Sequence, residues 1–256
     1  MGPGGYRGAV NALRGMLNAV QMLLILTWTA VWITLALLLL AVTFNRDLPL
    51  VLARRVWGPG VLRLAGARLR VEPLPDLDWS RPYIFVMNHQ SALDICCAFS
   101  ALPANLRFVA KHTLAKVPFL GWYMWATGMV FINRSNRFQA VESLRRAGVA
   151  IRAGKSILMY PEGTRSHAPF AIQSFKGGPF ALAVEAQVAL VPVAVEGTGR
   201  VMSSAGLRMQ PGAVRLKVGA AISTEGKRDR DALMDETRRA LVALHRELGG
   251  ASSDAG

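Results

Sequence analysis

The side chains best suited to chemistry lie in the run Asn88-His89-Gln90-Ser91-Ala92-Leu93-Asp94. The stretch before it, Pro82-Tyr83-Ile84-Phe85-Val86-Met87, reads as a buried strand. The stretch from Ser91 reads as the start of a helix, with Ser91 as a candidate cap. His89 therefore falls at a strand-to-helix turn, where a rigid scaffold can hold an exposed side chain. An acid five residues later can turn back and accept from the imidazole N–H. That contact fixes the tautomer and leaves the second ring nitrogen as a general base. Taken alone, a His-x4-Asp pair is more often a buried histidine beside an unrelated capping acid. Three further motifs change that balance.

The first is Tyr160-Pro161-Glu162-Gly163-Thr164-Arg165-Ser166, which follows an expected strand. Gly163 permits an unusual backbone angle or the close approach of a ligand. Arg165 offers a planar fork of donors suited to phosphate. Glu162 is placed to hold that arginine or a backbone N–H. The second is Gly128-Met129-Val130-Phe131-Ile132-Asn133-Arg134, a strand running into a polar end; Phe108-Val109-Ala110-Lys111 similarly puts a lysine at a strand end. The third is Val191-Pro192-Val193-Ala194-Val195, a buried strand whose proline points to an edge or a bulge.

The elements that must position these residues alternate between strand and helix. Strands are expected at 68–72, 82–87, 107–110, 129–132, 156–160, 189–195 and 213–218. Helices are expected at 91–101, 119–127, 137–153, 178–186 and 230–248. In the helix at 137–153, Phe138, Val141, Leu144, Gly148 and Ile151 form one face. The last helix buries Leu233, Thr237, Leu241, Leu244 and Leu248. This alternation predicts an α/β fold, a mixed and largely parallel sheet flanked by helices, with loops gathered at strand ends. It occupies 67–248, after an N-terminal membrane unit at 1–66 and before a disordered tail at 249–256.

The membrane unit is read from Met22 to Phe44, which carries no charge. As a helix it reaches roughly 34 Å, against a hydrocarbon core of about 30 Å. The stretch is too long for a typical signal-peptide core, and no convincing cleavage site follows, so it predicts an uncleaved anchor. A helical pair dipping into one leaflet is the alternative. Arg46, Arg54, Arg55 and Arg63 follow the stretch and Arg7 and Arg14 precede it, which favours a cytoplasmic C-terminal side. Leu48–Arg70, with the break Gly58-Pro59-Gly60, reads as an interfacial segment along the headgroups. The chain carries 30 Lys+Arg against 16 Asp+Glu, a net charge of +14, and is 52% hydrophobic. An anionic membrane surface fits that balance better than nucleic acid, for which no module is present. Cys96 and Cys97 are adjacent, lack zinc-ligand spacing and read as reduced core residues.

Together, in this order, the motifs resemble those of the glycerolipid acyltransferase family, and within it the enzymes that acylate lysophosphatidate. Asn88-His89-x4-Asp94 resembles the first block, Phe131-Ile132-Asn133-Arg134 the second, Pro161–Ser166 the third and Val191-Pro192-Val193 the fourth. The resemblance covers roughly Arg81 to Gly197. It implies a glycerol-phosphate-acyltransferase-like fold and a histidine base, His89, with an aspartate partner, Asp94. It also implies a substrate site that includes Lys111, Arg134, Glu162, Gly163, Thr164 and Arg165. The implied reaction moves a fatty acyl group from acyl-CoA or acyl carrier protein to the sn-2 hydroxyl of 1-acyl-glycerol-3-phosphate, giving phosphatidic acid at the inner membrane. Two departures bear on the acceptor. His112-Thr113 stands where the family often has Glu or Ser, and Lys176 lacks the second basic residue that often follows it.

Other chemistries fail on spacing. Gly154-Lys155-Ser156 is similar to the end of a phosphate-binding loop, but Val149 stands where glycine is needed. No Gly-x-Ser-x-Gly elbow is present. His112, His167 and His245 show no metal-ligand spacing, so neither metal nor cofactor is expected. Backbone N–H groups near Gly163 are the candidate oxyanion donors. The rival functions are acylation of another lyso-lipid, such as lyso-ornithine lipid, and a non-catalytic lipid-binding protein.

Overall fold

The computed structural model describes residues 3–133, 137–167, 170–203, 208–226 and 229–252. The chain opens with a long helix, α1 (Pro3–Thr43), then α2 (Leu48–Leu52), a π-helical turn at Ala53–Trp57 and α3 (Gly58–Leu64). The first strands are β1 (Ala67–Val71) and β2 (Ile84–Met87). They lead to α4 (Leu93–Ala101), β3 (Leu106–Lys111), α5 (Leu120–Ala126), β4 (Val130–Ile132) and α6 (Arg137–Arg152). The chain continues through β5 (Ser156–Met159), α7 (Gly178–Ala186), β6 (Leu190–Glu196), α8 (Thr198–Val201), β7 (Gly212–Val218) and α9 (Arg230–Glu247). The fold is therefore α/β with a mixed, mostly parallel sheet, as the alternation predicts.

One seven-stranded sheet has the order β1-β7-β6-β2-β5-β3-β4. Among the strand pairs of the described residues, only β6–β7 is antiparallel. Its central strands are buried on both faces, which is why they read as unbroken apolar runs. Successive residues serve opposite faces. Phe85 and Met87 join one core with Leu158, Val191 and Val193, while Ile84 and Val86 join the other with Ile157 and Leu190. The first core is closed by α2, α3 and α4, the second by α6, α7 and α9.

Pro192 lies in an interior strand, not at an edge. Leu190 bridges Ile222 and Val193 pairs with Val218, so one extra residue bulges from the chain facing β6. The missing proline donor falls at that irregularity. The stripe expected along α6 holds only in part. Leu144, Gly148 and Ile151 face the core with Ala147, but Phe138 and Val141 are exposed. Leu48–Arg70 does not simply follow the headgroups either. Leu50, Ala53, Val61 and Leu62 belong to the same core as the sheet, and the segment runs directly into edge strand β1. Gly58-Pro59-Gly60 is no break: Pro59 sits in the first turn of α3, where its missing N–H costs nothing. A Cβ on Gly60 would sit 2.4 Å from the Trp28 ring, so glycine there lets α1 pack closely.

α1 lies lengthwise against this domain. The Asn18 side chain accepts from the Met209 N–H, Gln21 donates to the Leu64 carbonyl, and Trp28 donates to the Trp57 carbonyl. Its opposite face is apolar and bare, from Leu13 through Leu23 and Leu38 to Phe44. From Ala12 to Thr43 it is long and apolar enough to cross a membrane. Beyond its end, Asp47 grips the base of the sheet, bonding Arg107 at 2.6 Å and Lys155 at 2.7 Å. Burial raises the Asp47 carboxyl, but hydrogen bonds from Lys155 and Arg107 outweigh it and hold it below its ordinary range. At the far end of the chain, the stretch expected as a disordered tail begins in contact with α9. Ser252 is buried and bonded to His245, while 253–256 lie outside the described residues.

Arg107 is buried, so removing its partner leaves an uncompensated charge. Asp47→Ala should lower stability by about 2–3 kcal/mol, read as an earlier melt in detergent. Asp47→Asn, which keeps hydrogen-bonding groups, should cost less. An unchanged melt for Asp47→Ala would mean that the anchor is not locked through this residue.

Candidate active site

β2 ends at the middle of the sheet, between β6 and β5. The Asn88 side chain extends the ladder there, donating to the Val195 carbonyl at 2.9 Å and accepting from the Val195 N–H at 2.8 Å. The main chain is then free to turn at His89. That turn is gripped on both sides. The His89 N–H donates to Glu162 Oε1 at 2.8 Å, and its carbonyl accepts from the Ser166 N–H at 2.7 Å. The imidazole stacks on Tyr160 with ring centroids 3.9 Å apart. Its Nδ1 lies 2.7 Å from Asp94 Oδ2.

Asp94 is fully buried in the first turn of α4, where helix N–H groups favour an acid. Oδ2 also accepts from the N–H groups of Gln90 (2.7 Å) and Ser91 (2.9 Å). Oδ1 accepts from the Thr198 hydroxyl. The Ser91 hydroxyl donates to the Met202 carbonyl and accepts from the Leu93 N–H at 3.3 Å, so it satisfies a first-turn donor of α4 as expected of a cap, although the cap position itself falls at Ala92. With Nδ1 turned to Asp94, Nε2 has no partner among the described residues, and the side chain keeps 17% of its surface open. A donor–acceptor pair so arranged can take a proton from a hydroxyl placed against Nε2.

The loop after β5 stands next to His89 because β5 pairs with β2. Its members divide. Gly163 adopts φ +75°, the left-handed angle glycine tolerates, and its N–H closes a turn on the Tyr160 carbonyl. That N–H is already engaged, which weakens it as an oxyanion donor. Thr164 and Arg165 are exposed, and Arg165 makes no hydrogen bond or ion pair among the described residues. Glu162 points inward instead of toward a ligand or Arg165. Its carboxylate holds the N–H groups of His89 and, at 3.0 Å, Gln173. Lys111 ends β3, two strand spacings from β2, or about 10 Å. It is exposed on the same rim. Arg134 lies outside the described residues; β4, which precedes it, is the edge strand. The structure thus brings His89, Asp94, Glu162 and the Gly163–Arg165 loop together, with Lys111 farther along the rim.

Sequence reasoning missed the residues behind Asp94. Thr198 follows the fourth block by only a few positions, and Gln90 lies inside the first. Glu196 ends β6 and is buried, bonded to Gln90 and His245 at 2.7 Å each. A signal for His245 existed: it lies four residues after Leu241, on the buried stripe of α9. Tyr160, whose phenol is buried without a hydrogen-bond partner among the described residues, backs the imidazole.

The family described as Acyltransferase matches residues 68–196. A 1-acyl-sn-glycerol-3-phosphate acyltransferase of Saccharomyces cerevisiae is 34% identical over 173 residues, 66% of this chain and 57% of the relative. The 1-acyl-sn-glycerol-3-phosphate acyltransferase alpha of Homo sapiens is 31% identical over 188 residues, covering 72% of this chain and 66% of the relative. The chain spans less than two thirds of the length of the curated relatives it matches. Among solved structures, the 1-acyl-sn-glycerophosphate acyltransferase PlsC from Thermotoga maritima superposes with a TM-score of 0.80 at 25% identity. That match covers 94% of this chain and 99% of the other.

Burial pushes the Glu162 carboxyl up to about 7, against the N–H groups of Gln173 and His89, which pull it down. The folded chain therefore takes up a proton that the unfolded chain, near 4.5, does not. The stability tied to that proton is present in full at the acid end and falls as pH rises through 7. Glu162→Gln has no such proton, so its melting temperature should fall less than the wild type's between pH 4.5 and 7. Equal slopes would remove Glu162 from the titration.

Proposed function

This chain belongs to the acyltransferase family, and on that footing we propose that it acylates lysophosphatidate. The reaction moves a fatty acyl group from acyl-CoA or acyl carrier protein to the sn-2 hydroxyl and gives phosphatidic acid. One observation carries the reading: His89 Nδ1 is tied to buried Asp94 while Nε2, without a partner among the described residues, stands beside a loop that presents an exposed arginine. His89 takes the hydroxyl proton as the oxygen attacks the thioester carbonyl. The C–S bond breaks, and the imidazolium returns the proton to the leaving sulfur. Asp94 orients the ring and stabilises its charge, as an aspartate does in a serine protease triad. A thioester is already activated, so no covalent acyl-enzyme is needed. Arg165 holds the acceptor phosphate, with Lys111 farther along the rim and Arg134 as a further basic group, and thereby fixes the hydroxyl near Nε2. Glu162 serves from behind, through the His89 backbone.

The partner surface in this reading is an anionic membrane. Asn18 bonds the domain, and just past the far end of α1 Asp47 bonds Arg107 and Lys155. From Asn18 to the end of α1 at Thr43 the helix runs about 38 Å. A domain in water cannot meet both ends of a helix that crosses a core of about 30 Å. The reading that fits is α1 lying in one leaflet with its bare face to lipid, the catalytic domain against the cytoplasmic surface. α5 continues that contact. It packs on α1 and exposes Trp122 and Trp125. Phe119 just before it is held outward at φ +60°, an angle bulky residues rarely adopt.

Purified chain should transfer labelled acyl groups to lysophosphatidate in preference to lyso-ornithine lipid or lysophosphatidylcholine. His89→Ala should lose about 10²–10⁴-fold in turnover while still folding. Arg165→Ala should raise KM for the acceptor and spare the donor's. Activity in a folded His89→Ala protein would end the mechanism; a stronger response to another acceptor would reassign the substrate.

The membrane reading is checked by vesicle sedimentation. Replacing Phe119, Trp122 and Trp125 with serine should weaken binding to phosphatidylglycerol vesicles severalfold, even in a chain that retains α1. Unchanged binding would assign attachment to α1 alone.

A further inference from the structure

Behind the proposed catalytic pair lies a second buried acid–imidazole pair. Glu196 and His245 are 4% and 0% exposed, and His245 Nε2 stands 2.7 Å from Glu196 Oε2. The same oxygen accepts from Gln90 Nε2 at 2.7 Å, and Oε1 pairs with Arg200. On its other side, His245 Nδ1 meets the Ser252 hydroxyl at 2.7 Å, and that oxygen accepts from the Ile172 N–H at 2.8 Å. Placing charge and imidazole in a core costs more than apolar packing of equal volume, so stability alone is a weak reason for the pair.

Its connections give a better one. Gln90, held by Glu196 through its side chain, donates its main-chain N–H to Asp94. Thr198, two residues beyond Glu196, donates to the other oxygen of the same carboxylate. In the opposite direction, Ser252 fixes Ile172, and the next N–H, that of Gln173, bonds Glu162, which holds the His89 N–H. Both routes out of the second pair arrive at the first. Fully satisfied networks of this kind fix geometry more firmly than their separate bonds.

We propose that Glu196 and His245 are positioning residues for His89. They act through Gln90 and Thr198 on Asp94, and through Ser252 and Ile172 on the loop that grips the His89 backbone. Neither touches substrate, and the inference rests on the reading of His89 as the base. The turn after α9 is then part of the catalytic apparatus, although it is more than 150 residues away in sequence from the groups it steadies.

The test compares acyl transfer by purified full-length variants in detergent, with rates normalised to folded protein by near-UV circular dichroism. Glu196→Gln and His245→Leu should each lower kcat about 10-fold to 100-fold, as expected for a misplaced base. The KM values for both substrates should stay within about twofold. His245→Gln, which keeps an N–H donor for Glu196, should recover most of the loss. Ser252→Ala removes only the outer hydroxyl and should show a smaller fall in kcat alone; it decides the matter if the buried variants do not fold. Wild-type kcat in folded Glu196→Gln and His245→Leu, or in Ser252→Ala where those two fail to fold, would overturn the inference. So would failure of His245→Gln to exceed His245→Leu. His89→Ala, assayed alongside, separates the two levels. If it keeps its activity, the base reading itself fails. If it is inactive while the positioning variants are normal, only the present inference fails.

Discussion

The carboxylate of Asp94 is the point on which the centre of this molecule turns. It is buried, and it takes four donors from two parts of the chain: His89 and the main chain at Gln90 and Ser91 in one run, and Thr198 in another. A buried acceptor of that kind is expensive unless every bond is made. The bonds in turn dictate the neighbourhood. Gln90 and Ser91 must present their N–H groups inward, which fixes the turn after β2. Thr198 must stand opposite, which requires β6 to end beside β2. The imidazole is then held on the one remaining approach, with its free nitrogen facing out.

The order of the sheet makes that arrangement available. β2 has β6 on one side and β5 on the other, so the ends of three parallel strands supply the acid's partners, the histidine and the arginine loop. Loops at the carboxyl ends of adjacent parallel strands are where α/β folds place their sites. The same order separates the basic residues. Arg165 comes from the strand next to His89, whereas Lys111 is two strands away. A phosphate beside Nε2 is therefore met first by Arg165, and the more distant positive groups shape the field along the rim.

The sequence was most legible where contacts are local. His89 and Asp94 meet within a single strand–turn–helix, so their spacing permits the bond and the accompanying motifs predict it. Buried strands such as 84–87 and 190–196 announce themselves by unbroken apolar runs. Legibility fails where a partner comes from elsewhere in the chain. Thr198, Glu196 and His245 reach the site across more than 100 residues, and no local pattern connects them. Glu162 was half legible. Its residues admit an arginine or a backbone N–H as partner, whereas the resemblance puts it in the substrate site; it is turned inward to hold two backbone N–H groups. Pro192 reads as an edge or a bulge, and the structure takes the second: the bulge excuses its missing donor. Phe138 and Val141 kept the helical period yet lie beyond the reach of the core, because α6 covers the sheet only along its C-terminal part.

In the proposed function, the apolar elements and the polar centre are joined by the requirements of a lipid acceptor. A lysophospholipid keeps its free hydroxyl within a few bonds of its phosphate, and both sit at the headgroup level of a bilayer. An enzyme that draws the whole molecule into water loses roughly 0.8 kcal/mol for each methylene exposed. One that brings its site down to the headgroups avoids that loss. The 3₁₀ turn after Lys111 leads to Phe119 and α5, so the aromatic edge is continuous with the rim that carries His89 and Arg165. α1 lies along the same body, with its own apolar face bare. The Asp47 clamp to Arg107 and Lys155 then has a mechanical meaning. It keeps the bare apolar helix at a fixed attitude to the sheet, and so, in the proposed function, keeps the base at a fixed depth beside the hydroxyl it must deprotonate.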